Sequence, residues 1–89
     1  MNNSYKKDNK KLKYLANIEN HDFISDLIIK MKAKTVLDIG CFYGTLISNL
    51  RNKNWDGIYL GVDISESVLN IAKTKNPNEC FILQNTLDL

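Results

Sequence analysis

The 89-residue chain has a single proline, a single histidine, a single tryptophan and two cysteines. Each scarcity removes a class of function. One histidine and two distant cysteines, Cys41 and Cys80, with no C-x-x-C pair, make no zinc site. Two cysteines behind no export signal suggest reduced, inert, buried thiols and a cytoplasmic setting. No apolar run approaches the ~20 residues of a membrane span. The early lysines are not followed by the ~7 to 15 apolar residues that a secretory signal needs. A formal net charge of +2 is too small to argue for nucleic acid.

What is present reads as one small globular domain, with 44% apolar and 25% charged residues. The charge is uneven. Residues 1–13 hold five lysines and one aspartate, whereas the rest hold seven basic and nine acidic side chains. Residues 1–20 therefore read as a basic N-terminal arm, with a short helix around Leu12, Leu15 and Ile18. A solvated tail is favoured over an RNA- or membrane-binding arm, because only Tyr5 and Tyr14 accompany those lysines. Residues 21–89 form the organised domain.

That domain alternates helix and strand. Phe23, Leu27, Ile28 and Met31 predict one apolar helix face, opened near Asn20–Asp22, with His21 an exposed neighbour of the cap. Thr35–Ile39 is β-branched and apolar without alternation, as a strand buried on both faces reads. Leu46, Ile47 and Leu50 mark a helix over Thr45–Asn52, and Asp56-Gly57 is a turn. Ile58–Val62 is a second strand ending at Asp63. Ser65 caps a third helix with Val68, Leu69, Ile71 and Ala72 as its buried stripe, and Cys80–Leu83 is a third strand. Trp55 and Tyr59 read as packing residues. This order predicts an α/β, Rossmann-like parallel sheet with right-handed crossovers. Parallel strands would put Cys41 and Cys80 at opposite ends, too far apart for a disulfide.

Asp38, Asp63 and Asn85 are 25 and 22 residues apart, each just past the carboxyl end of a predicted strand. In a parallel sheet those ends lie along one edge, where ligands bind. The stretch VLDIGCFYGTL adds glycines at 40 and 44, where backbone can approach a ligand closely, and a helix start that favours an anionic group. A carboxylate at the end of strand two suits a ribose diol. Two nucleoside classes compete. The dinucleotide pattern G-x-G-x-x-G would fall on Gly40, Phe42 and Thr45, so two of its glycines are missing. An acid at the end of strand one would also repel pyrophosphate, and suits a ligand ammonium group instead.

With those residues in place, VLDIGCFYGTL and YLGVDISESVLNIAK resemble the first motif and its follower in class I S-adenosylmethionine-dependent methyltransferases. The resemblance runs from about Asp22 to the end, and residues 21–89 then correspond to the N-terminal half of such a domain. It implies S-adenosyl-L-methionine as cofactor and a methyl acceptor that is a small molecule, while the small net charge and the short apolar runs argue for no nucleic acid or membrane partner. Asp38 would meet the methionine amine. Gly40, Cys41, Phe42 and Gly44 would form the loop around the methionyl moiety. Asp63 would bind the ribose hydroxyls, Ile64 would lie against adenine, and Asn85 would reach the adenine edge. Phe42 departs from the family's D/E-x-G-x-G-x-G pattern, and its ring would wall the methyl-donor site together with Tyr43. No catalytic residue is named, because the family's acceptor-binding residues usually follow strand four.

Strands one to three with helices on one side leave the other face of an apolar sheet uncovered. The expectation is therefore a truncated enzyme, inactive alone, whose missing half or a self-association covers the sheet. Two other readings stand beside it. One is a non-catalytic nucleoside-binding module that docks a partner on the bare sheet. The other is a fragment of an NAD-type oxidoreductase, which the missing glycines disfavour.

Overall fold

A computed structural model of the chain describes residues 21–85. The basic arm and the helix expected around Leu12 lie outside them. Residues 21–30 form helix α1. It is followed by β1 (Thr35–Ile39), α2 (Thr45–Asn52), β2 (Ile58–Asp63), α3 (Glu66–Lys75) and β3 (Cys80–Leu83). The strands form one sheet in the order β1-β2-β3, and both pairings are parallel.

Register decides which side chains share a face. Val36 pairs with Tyr59, and Asp38 with Gly61, which in turn pairs with Phe81. Alternation along each strand places all five on one face. That face carries the core: Tyr59 and Phe81 pack with Leu46, Ile47 and Leu50 of α2, Leu69 and Ala72 of α3, and Cys41 and Trp55 of the loops. Ile24, Ile28 and Ile29 of α1 and Val36 pack against this cluster. The opposite face is open. Leu37 and Ile39 are 58% and 54% exposed, and Ile82 is exposed beside them. The strands thus carry apolar residues on both faces, and among the described residues the helices pack on one of them.

Local chemistry explains where the helices stop and start. Ser65 is extended and its Oγ accepts the Val68 N–H, capping α3. α1 and α2 close with left-handed residues, Lys32 (φ 57°) and Asn54 (φ 65°). The next N–H reaches five residues back in each case, Ala33 to Ile28 and Trp55 to Leu50. Side chains then tie the loops together. The Trp55 indole N–H donates to the Ala33 carbonyl at 2.8 Å. Arg51 grips Glu79 with two N–H groups, at 2.7 and 3.0 Å, and donates a third to the Trp55 carbonyl. Hydrogen bonding to Glu79 pushes the Arg51 pKa further up, so its guanidinium stays charged.

Several expectations need correction. α1 buries Ile24, Ser25, Ile28 and Ile29, while Phe23, Leu27 and Met31 face outward. Ser25 is fully buried, and its hydroxyl is satisfied by donating to the His21 carbonyl at 2.7 Å. His21 itself is half-buried within α1 rather than exposed. Ile71 is exposed because α3 turns Leu69 and Ala72 inward instead. Cys80 is an exposed free thiol, since its register with Leu60 puts it on the face opposite Phe81 and the core, whereas Cys41 is buried as expected. Among the described residues no helix is long and apolar enough to cross a membrane.

Candidate functional site

The three polar residues do gather at the carboxyl edge of the sheet, because three adjacent parallel strands end there. Their placement is finer than the spacing implied. Asp38 is the fourth residue of β1 and Asp63 the last of β2, so both lie within strands. Asn85 stands two residues beyond β3 and is exposed. The Gln84 N–H continues the ladder to the Asp63 carbonyl at 2.9 Å and so holds the approach to Asn85 beside β2.

The loop after β1 is built on left-handed backbone. Gly40 (φ 74°) and Gly44 (φ 77°) adopt it readily. A Cβ on Gly40 would meet nothing within 4 Å, so this turn faces open space. At Gly44 a Cβ would meet Asn76 Nδ2 at 2.9 Å and Phe81 Cζ at 3.3 Å, so the helix start needs glycine on both counts. Phe42 shares the left-handed setting (φ 55°) despite its Cβ, at the place where the glycine of the resembling pattern stands. Its ring is 53% exposed and lies 4.0 Å, centroid to centroid, from that of Tyr43.

Asp63 is only 8% exposed and fastens the loop to β2. One carboxylate oxygen accepts the Phe42 N–H and the other the Ser65 N–H, each at 3.0 Å. Each oxygen keeps a second lone pair for a further donor. The Gly40 and Cys41 N–H groups both donate to the Val62 carbonyl, so the bend is rigidly set. Ile64, 65% exposed, follows at the same tip. Cys41 differs from the other loop residues in turning its thiol into the core.

Asp38 is half-buried. Its Oδ2 accepts the Tyr59 hydroxyl at 2.8 Å. Burial pushes its pKa up, against the opposing influence of that hydrogen bond and of nearby His21, and Asp63 adds to the rise. The lysine and arginine ion pairs among the described residues, Arg51 with Glu79 and Lys53 with Asp22 and Asp26, leave Asp38 aside. Burial, with Asp38 and Asp63 near, also pushes the Cys41 thiol up to about 11, so it is neutral near pH 7. No cluster of metal-ligating side chains occurs among the described residues. A cavity of about 540 Å³ opens at the other end of the sheet, between Lys32, Trp55 and Ile58, away from the strand tips.

Tyr59 is the site residue that sequence reasoning assigned to packing. Its signal lay in register: a glycine two positions on, on the same face, opposite an acid of the neighbouring strand.

Comparison with solved structures agrees with this geometry. The chain is 28% identical to the plantazolicin methyltransferase BamL, crystallised with a triazolic desmethylPZN analog and S-adenosylhomocysteine, with a TM-score of 0.62 over 92% of the chain. It also matches the magnesium protoporphyrin IX methyltransferase ChlM from Synechocystis, with a TM-score of 0.72 over 84% of the chain at 21% identity. The fold is that of the class I methyltransferases. DesVI of Streptomyces venezuelae shares it, with a TM-score of 0.61 at 23% identity over 85% of the chain. In each case the chain spans about a third of the matched protein, 32%, 38% and 34% respectively. No family model and no curated protein matches the chain. Within the methyltransferase fold, β1 to β3 are the strands whose tips carry Asp38, Asp63 and Asn85.

Proposed function

We propose that the chain is the cofactor-binding part of a methyltransferase that uses S-adenosyl-L-methionine and acts on a small-molecule acceptor. The observation that carries this reading is Asp38: a half-buried carboxylate with no lysine or arginine partner among the described residues, beside an unobstructed glycine turn and one strand from Asp63. Such a group favours a cationic ligand, because burial penalises its charge and the Tyr59 phenol and nearby His21 only partly offset that. The ammonium group of a methionyl moiety supplies the cation. Pyrophosphate would make the repulsion worse.

The residues divide the remaining work. Asp63 offers its free lone pairs to the ribose hydroxyls while its others hold the loop. Ile64 gives an apolar surface for a purine face, and Asn85 offers both a donor and an acceptor to its edge. Gly40 and Gly44 shape the bend, with Cys41 anchoring it from the core side, and Phe42 and Tyr43 wall the methyl-donor end. S-adenosylmethionine supplies an electrophilic methyl group on its sulfonium. The protein's part is to hold that group in line for an acceptor, which lowers the barrier by as much as ~7 to 11 kcal/mol when positioning is complete. The similarity to the plantazolicin and magnesium protoporphyrin IX methyltransferases supports an acceptor that is a small molecule or modified peptide.

Calorimetry with S-adenosylhomocysteine and with NAD tests the reading. Binding of the first and not the second is expected, and Asp38→Asn should weaken it about tenfold through loss of a charged hydrogen bond. Binding of NAD, or of neither compound, would overturn it.

A further inference from the structure

Asp38 and Tyr59 meet across a gap made for them. Asp38 lies opposite Gly61 in the β1–β2 register, and Tyr59 sits two residues earlier on the same face of β2. Side chains in strands lean along the strand. The Tyr59 ring leans over Gly61, so that its hydroxyl reaches Asp38 Oδ2 at 2.8 Å. A side chain at position 61 would close this path. An added Cβ would stand 2.8 Å from the Tyr59 hydroxyl, 2.7 Å from Phe81 Cδ1 and 3.0 Å from Cys41 Sγ. Phe81 braces the tyrosine from the far side, ring edge to ring face, with centroids 5.9 Å apart. The ring is 4% exposed and cannot swing out to water.

We propose that Tyr59, given its path by Gly61, is a positioning residue that fixes the Asp38 carboxylate for the ligand's cation. This rests on the cofactor reading above. With one lone pair of Oδ2 taken by the phenol, Oδ1 is the less encumbered oxygen, so one hydrogen bond sets the rotation of the carboxylate and favours Oδ1 as the oxygen that meets the ammonium group. The phenol does so without spending charge. A lysine here would neutralise Asp38 and remove its attraction for a cation. Burial and the carboxylate both push the Tyr59 pKa up, so it remains a donor across the working range. The other titratable groups facing Asp38 are Asp63 from β2, Cys41 from the loop and His21 from α1. Asp63 opposes ionisation of Asp38, His21 favours it, and Cys41 is neutral below pH 9, so removing the phenol moves the Asp38 pKa upward.

A double-mutant cycle on the whole chain tests this. Tyr59→Phe should weaken S-adenosylhomocysteine binding about tenfold. Its binding should fade at a higher pH than that of the wild type as the solution is acidified. In an Asp38→Asn background, Tyr59→Phe should have little further effect. Equal affinity and an unchanged pH profile in Tyr59→Phe would overturn the proposal, as would an undiminished effect without the Asp38 carboxylate. NMR supplies a readout that needs neither ligand nor variant. The ¹³Cζ resonance of Tyr59 in the wild-type chain should follow the acid titration of Asp38. A ¹³Cζ shift blind to that titration sinks the positioning role whatever the chain binds. A wild-type chain that shows the coupled titration but no S-adenosylhomocysteine binding keeps the Tyr59–Asp38 hydrogen bond, sinks the cofactor reading, and takes the ligand part of this proposal with it.

Discussion

Phe42 sits in left-handed backbone that a side chain enters at a cost of about 1 to 2 kcal/mol. Phe42→Gly should therefore raise stability by about 1 kcal/mol in urea unfolding. If the ring walls the methyl-donor end, the same variant binds S-adenosylhomocysteine more weakly, and unchanged or tighter binding removes that role. The two thiols make a second contrast. Cys80 is exposed and Cys41 buried, so native iodoacetamide labelling at pH 8 should mark Cys80 alone, read by peptide mass spectrometry. Cys41 also has a signed effect on stability. Its pKa is raised from 9.0 to about 11 on folding, so the folded state holds the proton more tightly. The stabilisation is complete below pH 9 and is lost as pH rises towards 11, and a Cys41→Ser chain should show less of this decline.

Elements were legible in the sequence wherever one signal acted alone. Thr35–Ile39, Ile58–Val62 and Cys80–Leu83 are β-branched or apolar runs closed by polar residues or glycine, and their bounds follow directly except that β2 runs one residue further, through Asp63. The two acids and the glycine bend were legible because spacing in a parallel sheet maps onto one edge. The α1 face was not. Phe23, Leu27 and Met31 form one stripe at helical spacing, and Ile24, Ile28 with Ser25, Ile29 form the adjoining pair. Periodicity cannot choose between neighbouring apolar stripes; packing does, and small Ser25 lets the helix approach the core closely. Substitution distinguishes the two faces. Ser25→Leu should cost about 1 to 3 kcal/mol by overpacking, whereas Phe23→Ser should stay within about 0.5 kcal/mol, both by thermal or urea unfolding. The Tyr59–Asp38 hydrogen bond was invisible for a similar reason. It depends on register between strands and on the absence of a side chain at Gly61, neither of which a single strand displays.

At the scale of the molecule, the dominant fact is a sheet that the described helices cover on one side. Leu37, Ile39 and Ile82 together offer water an apolar surface of the kind that drives association. The 89-residue chain should self-associate at micromolar concentration in sedimentation velocity. Leu37→Thr with Ile39→Thr should raise the monomer fraction while leaving the helix-covered core untouched. A monodisperse wild-type monomer would mean that the face is covered in solution. The same topology carries a consequence for biosynthesis. Among the described residues each strand pairs with its sequence neighbour, between residues 23 and 20 positions apart. A ribosome adding ~5 to 20 residues per second spends a few seconds on each such interval, far longer than a short loop needs to close. The edge that bears Asp38, Asp63 and Asn85 can thus be laid down one strand at a time, in the order of translation.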